Sequence, residues 1–470
     1  MNRRQFLRLT GMSATGLLLP HTLLARNAGL DAAVLTLRPA PATVNLVGAY
    51  GDTDAWAYNG TVPGPEIRLA QGATLRASVE NGLPQDTTVH WHGIRLPNAM
   101  DGVPHLTQPP IAPGESFDYQ FALPDAGTYW YHPHTSGSEQ LGRGLSGPLI
   151  VEEVEPVAAD RELTWMLDDW RLEADAAIRE DFGRFHDLSH GGRIGNTVTI
   201  NGALPDGLDV RTGERIRIRL INAANARIVA LNFTGTEAWV IATDGHPVKP
   251  FRPERNRVVL GPSMRADVLV DITGDPGSRL DLIDDYYPGR AYRLLELVHA
   301  AAPLRDRMPE RSRTLPPNPL AVPDAATAET HTMTFTGGAM GGMHTAMLDG
   351  ERLAVRELAR RGRFWAINGV AAHGHQMPAM LTLVRGRSYR LRLRNETSWP
   401  HPIHLHGHVF RVERRNGEPL AHEEWRDSVL LEARDAIDIL LVADNPGDWM
   451  FHCHIMEHEA AGMMGVIRVT

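Results

Sequence analysis

The chain has 470 residues, 43% hydrophobic and 22% charged, the balance of a soluble globular protein too long for one ordinary core. Its net charge is −9 with four leader arginines included and near −13 without them, which argues against nucleic acid as a partner. A single cysteine, Cys453, excludes a disulfide scaffold.

Residues 1–28 read as a targeting segment. Arg3 and Arg4 precede Phe6 and Leu7, a modestly apolar stretch follows over Leu9–Leu19, and a short tail covers Pro20–Ala25. The layout resembles a twin-arginine export signal, with a basic frayed terminus as the alternative. The apolar run falls short of the ~20 residues that span a bilayer. We therefore expect no membrane anchor, passage through the twin-arginine machinery and a periplasmic location.

Downstream, one layout recurs three times. Asn59-Gly60, Asn201-Gly202 and Asn368-Gly369 are each followed by a Gly-to-Asn run: Gly72–Asn81, Gly213–Asn222 and Gly386–Asn395. Apolar and polar residues alternate in each run, the pattern of a half-buried strand. Copies this widely spaced are whole domains. Short strand-like runs such as Val198–Ile200, Ile216–Ile221, Asp267–Asp271 and Ile437–Val442 predict an all-β protein of sandwiches or barrels. Helical periodicity is clearest over Leu172–Phe185 and Leu353–Arg361. Expected domains are 29–155, 156–300 and 331–470, with a Pro-, Ala-, Arg- and Thr-rich linker at 301–330.

Four H-x-H pairs carry the chemistry: His90/His92, His132/His134, His404/His406 and His452/His454. Strand residues i and i+2 share a face, so each pair can aim two imidazoles at one cluster. Eight rings exceed the needs of one tetrahedral ion and fit a multinuclear centre clamped between the outer domains. Gly127–His134 matches Gly447–His454 position by position, with Pro133 standing where the third domain has Cys453. The middle domain has no such pair and reads as structural. In Trp449–Met464, Cys453, His458 and Met463 are a thiolate, an imidazole and a thioether suited to a blue-copper site. His401 supplies its second imidazole.

These motifs resemble those of the multicopper oxidases, over essentially all of the chain after the leader. The resemblance implies three cupredoxin-like Greek-key β-sandwich domains and four copper ions. By motif position it implies His401, Cys453 and His458 as type 1 ligands with Met463 axial, and His90 and His404 as type 2 ligands. It implies His92, His132, His134, His406, His452 and His454 for the binuclear type 3 pair. Asp101 and Glu459 match acidic positions that deliver protons to dioxygen. A small-molecule or metal-ion donor would give electrons near an exposed edge of His458 or His401.

The donor is open between phenols and Cu(I). Met340, Met343, His344 and Met347 resemble the Met/His runs of copper-resistance oxidases and offer a possible auxiliary copper site. The alternative is a Gly/Met loop over an apolar patch. A second cluster, His373, His375, Met377 and Met380, could assist. Copper-efflux oxidases carry Asp and Met just before the first His of the H-P-I-H-L-H motif, where this chain has Thr397 and Trp399. Trp399 either walls a phenol pocket or packs. A copper-free scaffold protein of the same fold is the remote alternative.

Overall fold

Three consecutive β-sandwiches account for nearly all the regular structure in the computed structural model, which describes residues 34–308, 310–374 and 377–470. The leader and His375 lie outside the described residues. Among the described residues no helix is long and apolar enough to cross a membrane.

The first segment forms two-, three- and four-stranded sheets; the four-stranded one carries His90–His92 beside Gly127–His132. The middle segment pairs a six-stranded with a five-stranded sheet. The third does the same, adds a two-stranded hairpin, and holds His401–Leu405 beside Gly447–Cys453. One apolar core cluster runs through the first and third segments, while the middle has its own.

The threefold repeat has a physical cause. Asn59, Asn201 and Asn368 all sit at positive φ (54°, 52° and 49°), each followed by a Gly at positive φ, the geometry a tight primed turn demands. Each carboxamide then ties the turn to a neighbouring strand: Asn59 to Thr36 and Arg38, Asn201 to Thr164 and Met166, Asn368 to Thr332 and Thr334. The alternating runs form strands Thr74–Glu80, Arg215–Asn222 and Ser388–Asn395. The Asn closing each run accepts from the amide two residues on and donates to two carbonyls. In the third copy one of those carbonyls belongs to Trp399, so the repeat's own lock shapes the approach to His401.

Three expectations are corrected. Arg215–Asn222 is buried on both faces, because Arg217 and Arg219 pair with Glu153 and Asp267, and Arg215 with Asp271. Leu172–Phe185 is not a helix. Its backbone pairs across a folded-back loop, Glu173 N–H to Ala177 O and Arg179 N–H to Arg171 O, and the only helix begins at its end, over Phe185–Ser189. The loop still buries Leu172, Ala176 and Ile178 beside Trp170, so the apolar spacing is met by packing without helical hydrogen bonds. The second expected helix is shortened to Val355–Arg360, Leu353 belonging to strand Glu351–Ala354.

The described residues of segment 301–328 have no regular structure, yet the segment is tied down: Arg305 to Asp160, Arg313 to Asp271, and Asn318 to Ala126.

Candidate metal centre

Two strand ladders set histidine opposite histidine. His90 faces His132 in the first sandwich and His404 faces His452 in the third. Only His90/His92 lies wholly on a strand; the other three pairs straddle a strand end, yet their rings join the same cluster. His90 stacks on His406 at 3.9 Å between centroids, and His92 on His404 at 3.8 Å. His406 Nε2 stands 3.1 Å from His452 Nε2, and His132 Nε2 stands 3.4 Å from His454 Nε2. His134, His406 and His452 bring one ligand atom each within 4.8 Å of one another, as do His90, His404 and His406.

Ring orientation is fixed from behind. Nδ1 of His90, His132, His404 and His452 faces a backbone carbonyl, of Asp101, Pro133, Asp427 and Cys453, at 2.8–3.0 Å. Nδ1 of His406 donates to Asp101 Oδ2 at 2.8 Å. Each of these rings therefore carries its proton on Nδ1 and turns the Nε2 lone pair inward. His92 is reversed, with Nε2 at 3.2 Å from Asp427 Oδ1 and Nδ1 left for the cluster. His90 Nε2, His92 Nδ1 and His404 Nε2 are buried with no hydrogen-bond partner among the described residues. Buried nitrogens without partners are costly unless a cation takes the lone pair, so this donor set fits metal ions. Burial also pushes the imidazole pKa of His92, His132, His406 and His454 well down, which keeps these rings neutral.

On the far side of strand Gly447–Cys453 lies a smaller site. Cys453 Sγ is 3.6 Å from Nδ1 of both His401 and His458, whose Nδ1 atoms are 3.1 Å apart. His401 Nε2 is held by Thr397 Oγ1 at 2.8 Å, and the Trp365 ring lies 4.2 Å from His458. Burial pushes His458 down to about 3 and the Cys453 thiol well up, so the thiolate needs a cation beside it. Met463 is fully buried in the same core cluster as Cys453.

The expected exposed edge is absent. His401 and His458 are both wholly buried, and the segment after helix Phe185–Ser189 caps His458, whose Nε2 donates to the His190 carbonyl at 2.6 Å. Beside it, His190 and Trp399 (ring centroids 5.3 Å apart) line a cleft of about 510 Å³. The middle segment thus reaches the site.

Asp101 is buried against His406 and His90; Glu459 has Oε1 3.6 Å from His134 Nδ1 and Oε2 3.7 Å from His452 Nδ1. The residues missed in the sequence are Asp427, its partner Arg265, Trp365 and His190. Asp427 Oδ1 stands 3.2 Å from His92 and 3.4 Å from His404, and nothing in its W-R-D-S surroundings marks it. The methionine run is dispersed in environment. Met340 is 74% exposed, Met343 packs on an apolar cluster, His344 is exposed and Met347 lies in strand Thr345–Leu348. Trp399 Nε1 donates to the Ala339 carbonyl and Ser398 Oγ to that of Met340, so the run begins over the cleft.

Three family models, each described as multicopper oxidase, match residues 42–156, 161–279 and 348–470. Multicopper oxidase MmcO of Mycobacterium tuberculosis is 32% identical over 91% of this chain and 85% of its own length. Laccase-1 of Fomitopsis schrenkii is 31% identical over 91% and 84%. A solved multi-copper oxidase from Pseudomonas thermotolerans superposes with a TM-score of 0.79 at 37% identity, covering 93% of this chain and 98% of that one.

Proposed function

This chain belongs to the multicopper oxidase family, and from that premise we propose that it couples one-electron oxidation of phenolic or other aromatic reductants, or of Cu(I), to reduction of dioxygen to water. It is an oxidase of cupredoxin-like β-sandwich fold whose cofactor is copper, and the family implies four ions. His401, Cys453, His458 and Met463 would hold the type 1 ion. His90 and His404 would hold the type 2 ion, and His92, His132, His134, His406, His452 and His454 the type 3 pair. In this reading domains 29–155 and 331–470 supply the ligands, and 156–300, joined through 301–330, is a copper-free scaffold that also covers His458.

The observation that carries the reading is the placement of Cys453. Its sulfur belongs to one donor cluster, while the rings of its chain neighbours His452 and His454 belong to the other. Bound copper supplies the electron chemistry: each phenol gives up one electron and one proton, and dioxygen takes four of each to become two waters. The chain's own residues orient and move protons. Asp101 Oδ2 accepts from His406 Nδ1 and so aims that ring, and the same carboxyl group, by taking up and releasing a proton, would relay protons toward the cluster. Glu459, between His134 and His452 and 7% exposed, carries protons inward from the helix Met456–Ala460. Export by the twin-arginine leader to the periplasm belongs to the same proposal.

A second reading, a dedicated cuprous oxidase for copper tolerance, is favoured by one observation: the exposed thioether of Met340 stands on the loop that Trp399 and Ser398 tie over the cleft. Oxygen uptake with dimethoxyphenol, Cu(I) and Fe(II), before and after changing Met340, Met343 and Met347 to Ser, separates the two. Selective loss of Cu(I) turnover supports the cuprous enzyme; equal rates support a laccase. No uptake with any donor by copper-loaded, blue protein overturns both.

A further inference from the structure

The cleft beside Trp399 does not end there. Ile194 and Asn196 line it and also line a second cleft of about 700 Å³ in the middle segment, so the two form one groove. The groove starts at His190, whose carbonyl receives the His458 ring proton, and ends among Tyr287, Arg290, Tyr292 and Arg293.

The far end is built. Tyr287 accepts a hydrogen bond from the Ile228 amide at 3.2 Å, and Tyr292 donates to Asp284 Oδ2 at 2.9 Å, so both rings are held in place. Arg227 is committed to Asp169 at 2.9 Å. Arg290 is exposed and has no ion-pair partner among the described residues. Arg293, 60% exposed, has its nearest carboxylates only at 3.7 and 3.8 Å, contacts that solvent weakens. At the near end, by contrast, Arg171 is already neutralised by Asp187 and Asp181. A chain of net charge −9 thus places one unpaired guanidinium, Arg290, and one loosely paired, Arg293, beside two fixed phenol rings, at the end of a groove leading to the electron-entry site. Guanidiniums recognise carboxylates and aromatic faces recognise aromatic rings.

We propose that this groove binds a carboxylate-bearing aromatic reductant of two or more rings, the carboxylate at Arg290 and Arg293 and the phenol end at Trp399 and His190. The placement of the phenol end rests on the oxidase reading; the anion subsite stands on the groove's own lining.

The test measures binding apart from turnover. Ascorbate-reduced holoenzyme is dialysed to equilibrium under nitrogen against a biphenolic monocarboxylic acid and, separately, its methyl ester. The acid is expected to bind about five-fold more tightly than the ester, the scale of exposed ion pairs. In Arg290→Gln/Arg293→Gln that preference is expected to vanish through weaker acid binding, with the ester's Kd changed less than twofold. Equal binding of acid and ester by the unaltered enzyme overturns the proposal. So does a variant that weakens both ligands alike, or wild-type protein that binds neither. Binding of the acid by a protein that then consumes no oxygen with any donor would overturn the oxidase reading and leave the anion subsite standing.

Discussion

Arg265 donates to both carboxylate oxygens of Asp427, at 2.8 and 2.6 Å, with neither side chain exposed to solvent. Asp427 in turn faces His92 and His404, one ring from each outer sandwich. Burial alone would raise the Asp427 carboxyl, but Arg265 outweighs it and holds the group well below the usual range. The middle sandwich therefore supplies the charge that keeps this carboxylate ionised behind two candidate ligands.

Replacing Asp427 by Asn removes the charge while keeping the shape. Loss of such a ring-orienting partner typically costs ~10–100-fold in metal affinity or activity. Asp427→Asn is expected to lose copper in this range on dialysis while keeping the blue band of the Cys453 site. Full copper retention would contradict the role.

Arg265→Leu leaves the Asp427 charge buried and unpaired, which should destabilise the fold by ~3–5 kcal/mol. Pairing it with Asp427→Leu should recover much of that loss. Denaturant unfolding of the single and double variants checks both statements, and an unchanged midpoint for Arg265→Leu would refute the first.

Glu459→Gln keeps the side chain's size and removes its capacity to take up and release a proton. Oxygen reduction is expected to fall by ~10²–10⁴-fold, the usual contribution of a positioned proton donor, with the visible band intact. Turnover at the original rate would sink the proposal for Glu459.

Met463→Leu removes the thioether proposed as a copper ligand, and the potential of the type 1 site is expected to rise. A redox titration that finds no rise counts against Met463 as that ligand.

Acid stability should report the arginines of strand Arg215–Asn222. Burial would raise Glu162, but Arg219 and Arg217 pull its carboxyl from 4.5 down to about 2. A depressed carboxyl adds stability that is fully present above 4.5 and is lost as pH falls toward 2. Glu162→Gln should therefore flatten the decline of Tm across that window and lower Tm above it. Parallel curves for the two proteins would refute this coupling.

Much of the fold was readable because its signals are local. The Asn-Gly turns, the alternating runs and the H-x-H spacing each act within a few residues, where covalent geometry decides which side chains can share a face. The same locality misled where packing overrode it. Leu172–Phe185 has helical spacing but buries its apolar residues from a folded-back loop, and the arginine face of Arg215–Asn222 looks solvated until Glu153 and Asp267 close on it.

What the sequence determined alone is the donor set and the covalent link within it, since Cys453 lies between His452 and His454 in any conformation. What only tertiary structure decided is how those donors are aimed and sheltered. Asp427 meets His92 across 335 residues and Arg265 across 162, and the His190 carbonyl seals His458 from a distance of 268. Such contacts follow from how separate sandwiches pack, and the desolvation that keeps His92, His132, His406 and His454 neutral exists only once they have packed.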